Sequence, residues 1–117
     1  MPSNLNIGDI DATAMADLIR KREVSSSELV EDAIWRCEQV NEKLNAVITE
    51  MFDAALHLAR APVKESIFSG VPFLMKDFAA EVAGVPFYEG SNFLEDYVPS
   101  VDSEIYKRFN AAGLITI

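Results

Sequence analysis

Apolar residues recur at helical spacing near the start of the chain. Met15, Leu18 and Ile19 fall on one face and predict a helix over residues 11–22, which the side chain of Asp11 can cap. Residues 1–10 are mainly polar, and we expect them to form a flexible N-terminal arm. The folded part of the chain is therefore predicted to span residues 11–117.

The second helix has the clearest pattern. Ser25 and Glu28 have the spacing of a capping box, in which each side chain satisfies a free backbone donor. The apolar stripe that follows predicts the buried face of this helix: Leu29, Ala33, Ile34, Cys37, Val40 and Leu44. A third helix is predicted over residues 51–60, and Pro62 ends it.

Three short apolar runs are typical of strands: residues 45–49, 71–75 and 114–117. The last run follows a helix that Asp102 can cap and that Gly113 ends, with one face formed by Ile105, Phe109 and Ala112. Residues 78–100 have weak periodicity and predict a long irregular connection. Because helices and strands alternate, the sequence predicts an α/β fold whose sheet is at least partly parallel, with only part of the sheet present.

Composition is typical of a soluble domain. The chain has 117 residues, of which 50% are hydrophobic and 25% are charged. Its net charge of −9 disfavours direct binding to nucleic acid, because phosphates repel an acidic surface. No apolar run has the length of a membrane span, and the first residues lack the pattern of a secretory signal. We therefore expect a cytoplasmic protein without a membrane partner.

Two residues with reactive side chains have plain structural interpretations. Cys37 is the single cysteine and lies among apolar positions of a predicted helix, where a buried, inert thiol is the usual case. His57 is the single histidine and belongs to no recognisable ligand motif, so we predict a surface or packing role. Phosphate-binding loops, paired cysteines and a Gly-x-Ser-x-Gly elbow do not occur in the sequence.

Lys76 is the candidate catalytic residue. It follows the apolar run 71–75 and precedes Asp77. Ligands of open α/β sheets bind beyond the carboxyl ends of the strands, and a lysine kept dry at such a place can act as a base. From local pattern alone, a solvent-facing Lys–Asp charge pair is the commoner interpretation.

Residues 70–77, Gly-Val-Pro-Phe-Leu-Met-Lys-Asp, resemble the Gly-Val-Pro-x-x-x-Lys-Asp segment of the amidase-signature family. Other segments resemble that family in the same order and spacing: residues 25–30 at a helix start, residues 41–48 with Leu-Asn-Ala, Gly90-Ser91, and residues 102–113 ending in Ala-Ala-Gly. The resemblance extends from about residue 10 to Ile117, and the ordered set is specific although no single piece is decisive.

This resemblance implies the N-terminal portion of the amidase-signature fold, a mixed sheet flanked by helices, and hydrolysis of carboxamide C–N bonds through a serine acyl-enzyme. It places Lys76 at the base of a Ser–cis-Ser–Lys triad, with a small-molecule amide as substrate and with no metal or organic cofactor. Both serines and the oxyanion-hole loop belong to family segments downstream of Ile117, and Ser91 matches no triad position. We therefore expect the 117-residue chain alone to be inactive.

Two alternatives stay open. The lysine segment looks closer to bacterial hydrolases of small or oligomeric amides than to the A subunit of glutamyl/aspartyl-tRNA amidotransferase, which usually has Ile-Pro-x-x-x-Lys-Asp. That subunit is the alternative enzyme. A non-enzymatic, self-associating remnant is the alternative of another class, because an apolar ending at residues 114–117 favours pairing of a sheet edge with a second copy, as in a homodimer.

Overall fold

The computed structural model describes residues 7–62 and 64–117. The helices and strands are α1 (Ala12–Arg20), α2 (Ser26–Leu44), α3 (Phe52–Arg60), β1 (Pro72–Phe73), α4 (Glu104–Ala111) and β2 (Ile115–Thr116), with 3-10 turns at Ile7–Asp9 and Asn92–Leu94. The strands are parallel, with Pro72 opposite Ile115 and Phe73 opposite Thr116. The predicted α/β class with a parallel pair is therefore confirmed in an architecture that is mainly helical.

Local side-chain caps start the first two helices where the sequence predicts them. The carboxylate of Asp11 accepts a hydrogen bond from the N–H of Ala14 at 2.8 Å. The capping box is complete, because the N–H of Glu28 donates to Ser25 Oγ at 3.2 Å and the N–H of Ser25 donates to Glu28 Oε2 at 2.8 Å. The Ser25 backbone and then its hydroxyl lower the pKa of Glu28 to about 2.

The start of α4 differs from the prediction. Ser103, not Asp102, is the N-cap, and its hydroxyl oxygen faces the N–H of Tyr106. The Asp102 carboxylate instead accepts a hydrogen bond from the N–H of Ala83 at 2.8 Å. Asp102 therefore lies one residue too early to cap the helix, and it holds the long connection instead.

Helix α2 is shared by two apolar clusters. On one side, Leu29 packs with residues of α1 and with Val71, which precedes β1. On the other side, Val30 packs with residues of α3 and with Ile115 of β2. Leu29 and Val30 are both fully buried, so adjacent positions of one helix turn join the two halves of the core.

The apolar stripe of α2 is buried only in its first half. Leu29 and Ile34 are buried as predicted, whereas Val40 is 48% exposed and Leu44 is 66% exposed. In the described part of the chain, the second half of the stripe is therefore more exposed than the first. The predicted face of α4 is likewise only partly correct, because Ile105 is 46% exposed and the neighbouring Tyr106 is buried instead.

The expected strand at residues 45–49 is wrong. Asn45 ends α2 in a left-handed conformation with φ of 48°. The side chain of Asn41 then bonds both the N–H and the carbonyl of Val47, each at 2.9 Å. A side chain of the preceding helix therefore occupies the backbone groups that a neighbouring strand would have used.

The other two apolar runs form strands that are shorter than predicted. Regular pairing covers two residues in each of β1 and β2. Flanking bonds extend it: the N–H of Ile115 donates to Val71 O at 2.8 Å and that of Ile117 donates to Phe73 O at 3.1 Å. On the side of α4, the rings of Phe73 and Phe109 lie 4.8 Å apart.

The structure also differs from the expected arm in its last residues. Ile7 is 2% exposed and packs in the cluster of α1, within the turn Ile7–Asp9. Residues 1–6 of the predicted arm lie outside the described residues. An apolar anchor thus precedes the predicted start of the fold at Asp11.

Two glycines align the starts of the strands. The N–H of Gly70 donates to the carbonyl of Gly113 at 2.9 Å, and both residues have positive φ, 80° and 92°. A β-carbon at Gly70 would lie 2.7 Å from the side chain of Ser26, whose hydroxyl donates to Gly70 O. A β-carbon at Gly113 would lie 2.7 Å from the Cα of Ser69. Glycine is therefore required at both positions by backbone conformation and by space.

Candidate active site

Lys76 lies three residues after the end of β1 and is exposed. The N–H of Phe78 donates to the carbonyl of Lys76 at 2.8 Å, which closes a tight turn directly after the strand. The Lys76 Nζ lies 5.7 Å from the centroid of the Phe78 ring, within the range of a cation–π attraction. The turn therefore places Lys76 directly after the strand, with its ammonium group near the Phe78 ring.

An open cleft of about 360 Å³ lies beyond the carboxyl ends of both strands, and Lys76 lines it. Residues 74–77 after β1 and residues 116–117 at β2 contribute to the cleft. One side is formed by residues 46–49 between α2 and α3, here called the interhelix wall. The other side, here called the loop wall, is formed by residues 85–90, of which four line the cleft. This is the position at which open α/β sheets bind ligands.

The carboxylate of Asp77 holds the loop wall. It accepts hydrogen bonds from the N–H of Tyr88 at 3.1 Å and from the N–H of Glu89 at 3.0 Å. The side chain of Glu89 bonds in the opposite direction and accepts from the N–H of Ala79 at 3.1 Å. The residue after Lys76 is therefore half-buried and bonded to backbone, unlike the solvent-facing member of a Lys–Asp pair.

Asn41 holds the interhelix wall in a comparable way. Its amide Nδ2 donates to Val47 O and its Oδ1 accepts from the N–H of Val47, both at 2.9 Å. The sequence contained a signal for this contact, since Asn41 opens the segment that resembles a family motif. The pattern of residues alone did not show what the side chain does, because its partner lies beyond the helix end.

Thr116 is the polar residue of the cleft that sequence reasoning missed. It is 7% exposed and lies among the cleft-lining residues. Its Oγ1 is buried and has no hydrogen-bond partner among the described residues. It occupies a position within an apolar run, where the sequence pattern offers no reason to single out one threonine.

The remaining candidates have structural roles or lie away from the cleft. Ser91 caps the 3-10 turn Asn92–Leu94, since its hydroxyl oxygen accepts from the N–H of Phe93 at 3.2 Å. Burial raises the pKa of the Cys37 thiol, and the carboxylates of Glu50 and Glu38 raise it further. Cys37 is half-buried rather than buried as predicted, and a thiol with a raised pKa is a poor nucleophile.

Metal-ligand clusters and membrane spans were sought in residues 7–62 and 64–117. Within these ranges, no three side chains of the His, Cys, Asp or Glu type converge as a metal site requires. In the same part of the chain, no helix combines the length and the apolar character needed to cross a membrane.

Comparison with known protein families gives a match to the model described as Amidase, over residues 28–117. AmiC of Mycobacterium tuberculosis is 41% identical over 112 residues, which cover 95% of this chain and 24% of that protein. The 6-aminohexanoate-cyclic-dimer hydrolase of Paenarthrobacter ureafaciens is 34% identical over 116 residues, covering 92% of this chain and 22% of that protein. The chain thus spans about a quarter of the length of these relatives.

Solved structures give the same result for the fold. A 6-aminohexanoate cyclic dimer hydrolase complexed with substrate superposes with a TM-score of 0.86 at 30% identity, over 97% of this chain and 23% of that one. A bacterial aryl acylamidase of the amidase-signature family superposes with a TM-score of 0.81 at 28% identity, over 92% of this chain and 24% of that one. The short parallel pair and its helices therefore superpose on part of a known, larger α/β architecture.

Proposed function

This chain belongs to the amidase family, and from that premise we propose that it is the N-terminal portion of an enzyme that hydrolyses carboxamide C–N bonds with Lys76 as catalytic base. The observation that carries the proposal is the position of Lys76, at the strand end, in a cleft, and inside the region that matches the family. The chain alone lacks the proposed serines, so the activity belongs to the full-length protein.

The proposed reaction runs through an acyl-enzyme. Lys76 takes a proton, by way of a bridging serine, from a nucleophilic serine outside this chain, and that serine attacks the amide carbonyl. The C–N bond then breaks, the leaving amine takes up a proton, and water releases the acid in a second, equivalent step. Lys76 is exposed in the described part of the chain. To act as a base it must be shielded from water, and we propose that segments of the enzyme outside this chain provide the shielding.

The cleft favours small amides as substrates. Its volume of about 360 Å³ is that of a small-molecule site, and apolar side chains dominate both walls. The relatives named above include a hydrolase of a cyclic amide dimer and an aryl acylamidase, which are consistent with this class. We therefore propose a small carboxamide with a hydrocarbon or aromatic portion as substrate.

A panel of amides tests this function. The full-length protein is assayed for amine or ammonia release from 6-aminohexanoate cyclic dimer, a linear aliphatic amide, an anilide and glutamine. We expect turnover of at least one of the first three, and Lys76→Ala should abolish it. Lys107→Ala is the matched control, because Lys107 is an exposed lysine on α4 outside the cleft.

The outcomes separate the alternatives. Hydrolysis of glutamine alone would favour the amidotransferase A subunit over an amidase of small or oligomeric substrates. Turnover in Lys76→Ala that equals that of Lys107→Ala would refute the role of Lys76. A full-length protein that hydrolyses none of the four amides would support the non-enzymatic alternative.

A further inference from the structure

Both walls of the cleft consist of irregular backbone. The regular pairing of β1 and β2 ends at Phe73 and Thr116, and it includes no residue of either wall. The interhelix wall lies between two helices, and the loop wall lies within the long connection that precedes α4. Their spacing must therefore be set by contacts other than a sheet ladder.

At each wall, a single side chain is hydrogen-bonded to two backbone groups. Asp77 bonds consecutive amides, Tyr88 and Glu89, across 11 and 12 residues of sequence. Asn41 bonds both backbone groups of Val47 across 6 residues. Asn41 belongs to α2, whose first half packs in both apolar clusters, and Asp77 lies in the segment after β1.

We propose that Asn41 and Asp77 are positioning residues that set the spacing of the two walls around an amide substrate and so determine how tightly the substrate is held. Neither side chain needs to touch the reacting atoms. Asp77 acts through the loop wall and through the turn that carries Lys76, whereas Asn41 acts only through the interhelix wall. This inference rests on the proposed amidase function and assigns the two residues to its substrate binding.

Loss of the Asn41 bonds and loss of the Asp77 bonds should have different kinetic effects. Without the bonds of Asn41, the interhelix wall loosens at a distance from Lys76. KM should then rise while kcat is nearly unchanged, as expected when contacts with the bound substrate are lost. Without the bonds of Asp77, the loop wall loosens and the turn at Lys76 is displaced. We therefore expect kcat to fall and KM to rise. If Asn41 and Asp77 only stabilised the fold, their replacement would lower stability, and the two variants would not differ in their effect on kcat.

The test uses the full-length protein with variants of nearly unchanged shape. Asn41→Leu keeps the size of the side chain but removes both bonds to Val47, and Asp77→Asn turns an amide donor towards one of the two N–H groups. Asp11→Ala is the control, because Asp11 also accepts a backbone N–H but does so at the start of α1, away from the cleft. Amide hydrogen exchange and steady-state kinetics on the best amide of the panel are measured for each.

We expect exchange to rise about ten-fold at Val47 in Asn41→Leu and, in Asp77→Asn, at whichever of Tyr88 and Glu89 loses its acceptor, as local opening becomes easier. KM should rise about ten-fold in both variants, and kcat should fall about ten-fold in Asp77→Asn only. Asp11→Ala should leave KM and kcat within about two-fold of the wild type while lowering stability.

Unchanged exchange, or faster exchange with unchanged kinetics, would overturn the inference alone. An equal rise in KM in Asp11→Ala would also overturn it, since general destabilisation would then explain the effect. A wild-type protein that hydrolyses no amide of the panel would overturn the proposed function and this inference with it. The last result is recognised without any variant, so the two failures are distinguishable.

Discussion

The buried hydroxyl of Thr116 allows a quantitative test of the packing at the strand end. Its Oγ1 has no partner among the described residues, although the residue is 7% exposed. Thr116→Val replaces that hydroxyl by a methyl group of similar size and keeps the β-branched shape that suits a strand. The substitution should therefore stabilise the 117-residue chain, which is the opposite of the usual effect of a buried mutation.

The magnitude follows from the cost of burying an unpaired hydroxyl. Mutational data place that cost at about 1–3 kcal/mol, so we expect Thr116→Val to raise the free energy of unfolding by about 1–2 kcal/mol. In urea the midpoint should increase while the dependence on denaturant stays the same. Thermal unfolding should shift upwards by roughly 3–8 °C for a chain of this size.

A matched control separates the hydroxyl from the change of residue type. Thr13→Val makes the same substitution at an exposed position of α1 and should change stability by less than about 0.5 kcal/mol. If Thr116→Val lowers the stability of the chain, Thr116 Oγ1 has a hydrogen-bond acceptor and our account of this strand end is refuted.

Two further predictions concern the capping box of α2 and the association of the chain. The pKa of Glu28 is depressed from its ordinary 4.5 to about 2, so the stability that its charge adds to the capping box is present above pH 4.5 and is lost as the pH falls through 2. The difference in urea midpoint between wild type and Glu28→Gln should shrink over that window, and a constant difference would contradict the assignment. We also expect the 117-residue chain to dimerise or aggregate, because Phe93 is 95% exposed and Trp35 is 58% exposed. Sedimentation showing a clean monomer at high concentration would contradict this.

Local signals explain what the sequence predicted correctly. The Asp11 cap and the box of Ser25 and Glu28 involve residues three apart, so their spacing alone identifies the helix starts. Gly113 ends α4 for a comparably local reason, since it adopts a left-handed conformation. The parallel pairing of β1 and β2 follows from the alternation of elements, which requires a crossover between them.

Interactions between distant residues explain the errors and the omissions. The run at residues 45–49 has strand character, but the amide of Asn41 takes the backbone groups of Val47. Asp102 has the character of a cap, but Ala83 lies within its reach in the fold. The role of Asp77 depends on amides more than ten residues away, whose approach no local pattern encodes.

The candidate site was predicted only in part. Lys76 was found because the segment around it resembles a family motif, and its place at a strand end agrees with the general position of ligand sites in α/β folds. The walls of the cleft and the hydroxyl of Thr116 were not predicted, because they depend on how separate loops approach one another. Sequence thus pointed to Lys76 as the candidate base, and the structure showed which residues surround it.

The central claim is that Lys76 is the base for acylation, and acyl-enzyme formation in the full-length protein tests it most directly. Rapid mixing with the best amide of the panel, followed by intact mass measurement, gives the rate at which the acyl adduct appears. We predict that Lys76→Ala slows this step by about 10²–10⁴-fold, the usual contribution of a general base, while Lys107→Ala leaves it unchanged. Adduct formation in Lys76→Ala at the wild-type rate would contradict the account.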